Sequence, residues 1–251
     1  MKLLAVGNSF SQDACTFLHQ TAQAQGLELE VTNLYIGGCT LETHYQNLLS
    51  GKADYQCEQN GRFTGRMISL PEALAMEPWD GIVTQQASHF SGWMDSYEPF
   101  LTELLSAFRR ACPNARLFLH ETWAYERDCP NDSFFRYHRD QAEMYDRLRC
   151  CYRTMARSHG VSLIPSGDVI QRLRTKEPFR VQTGGRSLCR DGYHMSLSYG
   201  RYLLACVWLG WLFGVSVAEN TFVPDGDEAV EPELLALLRR TADDVLAEQR
   251  E

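Results

Sequence analysis

Five short apolar runs, at residues 3–6, 27–35, 82–85, 116–122 and 161–164, alternate along this chain with stretches of helical spacing. No other feature limits the possible folds as strongly. A strand buried on both faces appears as a nearly continuous apolar run, and strands separated by helices pair in parallel through crossovers. The intervening segments have the required period. Residues 10–25 place Ala14, Phe17, Leu18 and Ala22 on one face and stop at Gly26. Residues 97–111 do the same with Phe100, Leu101, Leu104, Leu105 and Phe108, stopping near Pro113. Further helices are expected at 71–77, 139–159 (ended by Gly160), 168–174 and 196–213, with a charged C-terminal helix at 231–249. Residues 123–138 and 182–193 read as loops. Residues 44–70 are polar and mixed, an excursion holding a helix and a hairpin. The expectation is an α/β fold with a five-stranded, mainly parallel sheet.

At 251 residues the chain fits one domain, 1–251, with a single core. Its Lys+Arg count of 24 against Asp+Glu 32 gives a net charge of −8, which argues against a nucleic-acid binder or a polybasic membrane surface. The apolar run after Met1 is too short for a signal-peptide core, and the stretch 202–217 falls short of the roughly 20 residues that span a bilayer. Nine cysteines, an odd number with no C-x-x-C pair, read as reduced thiols in a cytoplasmic protein without a structural zinc. His44, His120 and His138 form no short-spaced pair and imply no metal. Trp208, Trp211 and Phe213 lie in an apolar helix and read as core.

Parallel sheets place ligands at the carboxyl ends of their strands, and the polar residues of interest cluster there. Gly7-Asn8-Ser9-Phe10-Ser11 follows the first strand, Ile36-Gly37-Gly38-Cys39 the second and Gln85-Gln86-Ala87-Ser88-His89 the third. Asp191-Gly192-Tyr193-His194 stands just before a late helix. Taken singly, Ser9 is a helix cap, and Asp191 with His194 a capping carboxylate and a surface histidine. Together they carry a chemistry. A serine hydroxyl needs a base to take its proton, and that base needs a partner to fix its tautomer. His194 and Asp191, three residues apart, supply both, while N–H groups at a strand-to-helix turn stabilise developing negative charge. Cys39 adjoins the same turn but has no evident base in the sequence. Trp79, just before the third strand, and Phe90, Trp93, Tyr97, Trp123 and Tyr125, after the third and fourth, are either core or the rim of a pocket.

Val6-Gly7-Asn8-Ser9-Phe10-Ser11, Gly38 and Asp191-Gly192-Tyr193-His194-Met195-Ser196 resemble, in order and spacing, the blocks of the SGNH (GDSL-type) hydrolases. Within that family the chain is similar to a bacterial branch that opens with Gly-Asn-Ser-Phe-Ser and carries a Gln-Gln pair after the third strand. The resemblance implies a three-layer, flavodoxin-like α/β/α sandwich and ester hydrolysis with Ser9 as nucleophile, His194 as general base and Asp191 as its orienting carboxylate. It implies oxyanion donors from the Ser9 and Gly38 N–H groups, and no metal or organic cofactor. Two positions depart from the family. Asn8 stands where Asp is usual, and the Gly-x-Asn-Asp block after the third strand is missing. Gln86, the nearest side-chain amide, is the expected third oxyanion donor, with His89 as the alternative. The Gly-x-Ser-x-Gly elbow of the other common serine-hydrolase fold is absent, and only one strand precedes Ser9. The expected activity is hydrolysis of short acyl esters, acetyl foremost, of a carbohydrate or another small hydroxylated molecule. The alternative is a flavodoxin-like binding module without turnover. A nucleotide-binding reading lacks any Gly-x-x-x-x-Gly-Lys loop.

Overall fold

The computed structural model describes residues 1–226 and 228–250. Among the described residues, seven strands form one sheet: β1 (Lys2–Gly7), β2 (Glu30–Tyr35), β3 (Tyr55–Gln59), β4 (Arg62–Ile68), β5 (Gly81–Thr84), β6 (Arg116–His120) and β7 (Ser162–Ile164), in the order β4-β3-β2-β1-β5-β6-β7. The five strands expected from the apolar runs pair in parallel, with Gly7 opposite Tyr35 and Val6 opposite Thr84. Leu3, Leu4, Ala5 and Val6 of β1 are all buried, which is why the run shows no polar alternation.

The expected strand count is corrected by β3 and β4, the antiparallel hairpin of the 44–70 excursion, which extends the sheet beyond β2. From Arg62 to Met67, β4 is exposed, so it has no apolar run to mark it. Arg62 and Arg66 on this outer strand disfavour pairing with another chain.

The helices are α1 (Ser9–Cys15), α2 (Leu18–Gln23), α3 (Leu41–Ser50), α4 (Leu70–Met76), α5 (Phe100–Ala111), α6 (Gln141–His159), α7 (Ser166–Leu173), α8 (Tyr199–Phe213) and α9 (Pro232–Arg250). On one face α8 packs against α1, α2, α7 and α9. On the other, α3, α4 and α5 pack together, while α6 lies against β6 and β7. The fold is therefore an α/β/α sandwich. Caps set the boundaries: Thr40 opens α3, Ser69 opens α4, and Asp140 accepts from the N–H groups of Ala142 and Glu143 to open α6. The single helix expected over 10–25 is divided into α1 and α2. At the break Thr16 Oγ1 bonds back to the Gln12 carbonyl, and the hairpin turn at Gly61 lies directly against the Thr16 carbonyl.

The parallel strands bring the carboxyl ends of β2, β1, β5 and β6 to one edge, side by side. Gly7 closes β1 there with little space. A Cβ at this position would lie 2.5 Å from Ser11 Oγ and 2.8 Å from Ser11 Cβ. Ser11 cannot easily retreat, because its hydroxyl sits 2.9 Å from the Asn8 carbonyl and 2.8 Å from Asn33 Oδ1. Gly7→Ala is therefore expected to cost about 1–3 kcal/mol through overpacking, measured by urea unfolding. Unchanged stability would contradict so tight a junction.

Candidate functional site

Ser9 is the first residue of α1, so its N–H is one of the four that an α-helix leaves without an intrahelical acceptor. Asn8 caps the helix: its Oδ1 accepts from the Phe10 N–H at 3.1 Å. The Ser9 hydroxyl lies 2.8 Å from His194 Nε2, and His194 Nδ1 lies 2.7 Å from Asp191 Oδ2. The second oxygen of Asp191 accepts from the backbone N–H groups of His194, at 2.8 Å, and Tyr193, at 3.2 Å. Partial burial pushes the Asp191 carboxyl up. The hydrogen bonds from the His194 ring and from those two N–H groups outweigh this and hold it below its ordinary range. An ionised Asp191 keeps the proton on Nδ1 and leaves Nε2 as the acceptor facing Ser9.

Two sets of buried contacts hold this arrangement. The first is a row of hydrogen bonds along the strand ends, in sheet order. Asn8 Nδ2, after β1, donates to the Cys39 carbonyl, after β2, at 3.0 Å. Gln85 Nε2, after β5, donates to Asn8 Oδ1 at 2.9 Å. His120, at the end of β6, meets Gln85 Oε1 through Nδ1 at 2.7 Å and Ser166 Oγ through Nε2 at 3.0 Å. Burial pushes His120 down to about 3, so the ring is neutral and can donate at one nitrogen and accept at the other.

The second set ties α1 to the histidine loop. Asp13, one turn after Ser9 on α1, is fully buried. Its carboxylate accepts from the Met195 N–H at 2.9 Å, from Arg201 Nε at 2.8 Å and from Arg190 Nη1 at 3.1 Å. Arg190 also donates to the Met195 carbonyl. Trp123 stacks on Phe10 with ring centroids 4.1 Å apart and donates its indole N–H to the Tyr193 carbonyl. The residues flanking His194 are thus fixed from both sides.

Ser9 and His194 line a cavity of about 260 Å³ together with Gly38, Ala87, Ser88 and His89. Asn8, Tyr125, Asn131 and Tyr193 complete much of its wall, and the Tyr125 hydroxyl meets Ser88 Oγ at 2.8 Å. Gly38 adopts a φ of +65°, a turn that favours glycine. The expectation for Gln86 is corrected. Its Nε2 donates to the Ser96 carbonyl at 2.8 Å, its Oε1 accepts from the Leu41 N–H at 3.1 Å, and it lines a neighbouring cavity rather than that of Ser9. Gln85, the preceding residue, turns instead to Asn8, so the two neighbouring amides take different partners. His89 does line the Ser9 cavity. Burial, then the nearby Arg136 charge, lowers its pKa and so favours the uncharged ring.

Cys39 has a neighbour that the sequence did not reveal, because His44 reaches it from the first turn of α3, with Nδ1 3.4 Å from Sγ and 2.8 Å from Tyr55 Oη. Burial pushes the Cys39 thiol up to about 12 and His44 down to about 3, so the pair is a neutral core contact and not a nucleophile with its base. Trp79, Tyr97, Trp123 and Tyr125 are buried, whereas Phe90 and Trp93 are half-buried at a cavity wall. Asp13 is the site residue that sequence reasoning missed, and the sequence marks Gln85 only as part of the segment after the third strand, without its contact to Asn8. The only available signal for Asp13 was a charged residue one helical turn from Ser9, on a face otherwise facing the core. Among the described residues, no cluster of three or more His, Cys, Asp or Glu side chains is placed to hold a metal ion. Among the described residues, no helix is long and apolar enough to cross a membrane. All nine cysteines are unpaired.

A sequence-family profile described as "Domain of unknown function (DUF4886)" matches residues 2–242. A crystal structure of a DUF4886 family protein from Bacteroides uniformis is 35% identical, covers 100% of this chain and 96% of its own, and superposes with a TM-score of 0.90. A protein provisionally described as an SGNH hydrolase, from Slackia heliotrinireducens, is 21% identical over 83% of this chain and 97% of its own, with a TM-score of 0.57. An acetylxylan esterase from Geobacillus stearothermophilus is 14% identical over 83% and 92%, with a TM-score of 0.55. These last two share the fold. No curated protein matches the chain.

The Asn8 amide donates to one neighbour while accepting from two others, which an ionised Asp cannot do. Asn8→Asp, the residue usual in SGNH hydrolases, would set a carboxylate oxygen against the Cys39 carbonyl. The expected cost is on the order of 1–3 kcal/mol by chemical denaturation at pH 7. A carboxyl facing an acceptor has a raised folded-state pKa, so the penalty is full above that raised value, fades as the pH falls through it and is gone below the ordinary aspartate value of ~3.9. A variant as stable as wild type at pH 7 would contradict the assigned hydrogen bonds.

Proposed function

This chain belongs to the DUF4886 family, and from the geometry of its site we propose that it is a serine esterase cleaving short acyl esters of a small hydroxylated molecule. The observation that carries this reading is the continuous contact from Ser9 Oγ through His194 to Asp191, 2.8 Å and then 2.7 Å, at the mouth of a cavity. In the first step Ser9 Oγ attacks the ester carbonyl carbon as its proton passes to His194 Nε2. The imidazolium is stabilised by Asp191. The carbonyl oxygen, now negative, accepts from the Ser9 and Gly38 N–H groups and from the ring N–H of His89, one of the residues after β5 that line the cavity. Collapse of this intermediate breaks the bond to the alcohol oxygen, which takes the proton back from His194. A water then repeats the sequence against the acyl-serine, releasing the acid and restoring the hydroxyl.

The size of the cavity supports a short acyl group. Sites for drug-sized ligands run roughly 300–1,000 Å³, and this one is about 260 Å³. The acetylxylan esterase that shares the fold removes a group of that size by its name, and an acetyl ester is the first substrate to test.

The test is a series of p-nitrophenyl esters from acetyl to octanoyl. Wild type should prefer acetyl, and Ser9→Ala should retain no enzymatic turnover. Asp191→Asn should fold normally and lose up to about 10⁴-fold in kcat, the loss known for the corresponding change in a protease triad. His89→Ala should lose about 10²–10³-fold in kcat. Equal rates for wild type and Ser9→Ala would overturn the reading.

A further inference from the structure

Beside the Ser9 cavity lies a larger one of about 460 Å³ that the proposed chemistry does not use. The same two chain segments wall both. Passing from Gly38 to Thr40 and from His89 to Phe90 leads from the first cavity to the second. Three aromatic side chains, Phe90, Trp93 and Phe100, form its apolar surface and are only partly buried. Arg136 lies over the Phe90 ring, 4.8 Å from its centroid. The carboxylates of Glu42 and Asp95 also line the cavity and are exposed.

Gln86 gives this cavity a fixed base. Buried after β5, it holds the start of α3 through the Leu41 N–H and the 90–96 loop through the Ser96 carbonyl and hydroxyl. The Ser96 hydroxyl in turn lies 3.0 Å from the Phe90 carbonyl and 2.6 Å from the Trp93 carbonyl. The backbones carrying Phe90 and Trp93 are therefore set by hydrogen bonds before any ligand arrives, which lowers the ordering cost of binding.

We propose that this cavity is a substrate subsite that takes a saccharide ring adjoining the reacting ester, packed against the parts of Phe90, Trp93 and Phe100 that line it, beside the guanidinium groups of Arg136 over Phe90 and Arg147 over Trp93, with its hydroxyls donating to Glu42 and Asp95. The inference rests on the esterase reading above and supplies the substrate class. The Ser9 cavity, at about 260 Å³, accommodates the acyl group and ester oxygens but not a sugar as well, whereas the neighbour falls in the range of ligand sites. The lining selects among occupants. An alkyl chain would desolvate two carboxylates and a guanidinium without pairing them. A phosphate would face the like charge of Glu42 and Asp95. A sugar presents an apolar C–H face to the aromatic rings and hydroxyl donors to the carboxylates.

The experiment compares p-nitrophenyl acetate, which needs only the Ser9 cavity, with an acetylated disaccharide. Trp93→Ala, Glu42→Gln and Asp95→Asn are assayed on both, with folding checked by circular dichroism. Trp93→Ala should raise KM for the disaccharide by about tenfold, equivalent to 1.4 kcal/mol, with kcat held, and should leave p-nitrophenyl acetate hydrolysis within about twofold of wild type, a change of under 0.5 kcal/mol. The two exposed carboxylate variants should shift KM in the same selective way. Unchanged disaccharide KM in all three, or an equal loss on both substrates, would overturn the subsite. Calorimetric titration of the acetylated disaccharide into Ser9→Ala, with and without Trp93→Ala, reads binding without turnover. Heat that does not depend on Trp93 would likewise overturn it. Failure of the esterase reading shows separately, as p-nitrophenyl acetate hydrolysis that survives Ser9→Ala.

Discussion

The carboxamide of Asn8 is the contact on which the rest of the site depends. It caps α1 and so fixes where Ser9 starts the helix. It also accepts from Gln85 and donates to the Cys39 carbonyl, and so locks three strand ends into one register. Gln85 passes the constraint on to His120, and His120 to Ser166. Each group in this row is buried, and each finds a partner of the opposite kind. A half-satisfied version would cost more than an apolar substitute, because buried polar groups without partners carry their full desolvation penalty. The row orders the strand ends that present Ser9 and the Gly38 turn.

Asp13 does for the histidine what Asn8 does for the serine. A fully buried carboxylate would be costly alone, yet this one accepts from two arginines and a backbone N–H. Because it sits one turn from Ser9 on the same helix, the distance between Ser9 and His194 is set through a single rigid element. The loop carrying His194 has little secondary structure of its own. It is held by Asp13, by the Trp123 indole and by the Glu126 N–H, which donates to the Gly192 carbonyl at 2.7 Å. A neutral, buried His120 and a tightly held His194 show how burial and partners divide two identical side chains between scaffold and surface chemistry.

Much of this was legible in the sequence, for physical reasons. The five parallel strands announced themselves because both of their faces are covered. The outer strand Arg62–Ile68 did not, because its exposed stretch carries no apolar pattern. The residues Ser9, Asp191 and His194 stood out because their placement at strand and loop ends limits their roles, and the structure sets them in hydrogen-bond sequence. Side-chain direction was not legible. Gln85 and Gln86 are chemically identical neighbours, and only the geometry after β5 decides that one meets Asn8 while the other braces Ser96. Nor was Asp13, whose partners lie nearly two hundred positions away in the chain. Long-range polar contacts leave no local period to read.

The central claim is that this scaffold makes Ser9 a far stronger nucleophile than an ordinary surface serine. Peptide mapping by mass spectrometry after brief exposure to a fluorophosphonate tests it most directly, because an activated serine attacks phosphorus as it attacks a carbonyl. The account predicts a single adduct on Ser9, formed within minutes in wild type and strongly slowed in His194→Ala. An unlabelled Ser9 in folded wild-type protein, or labelling at the same rate without His194, would contradict it.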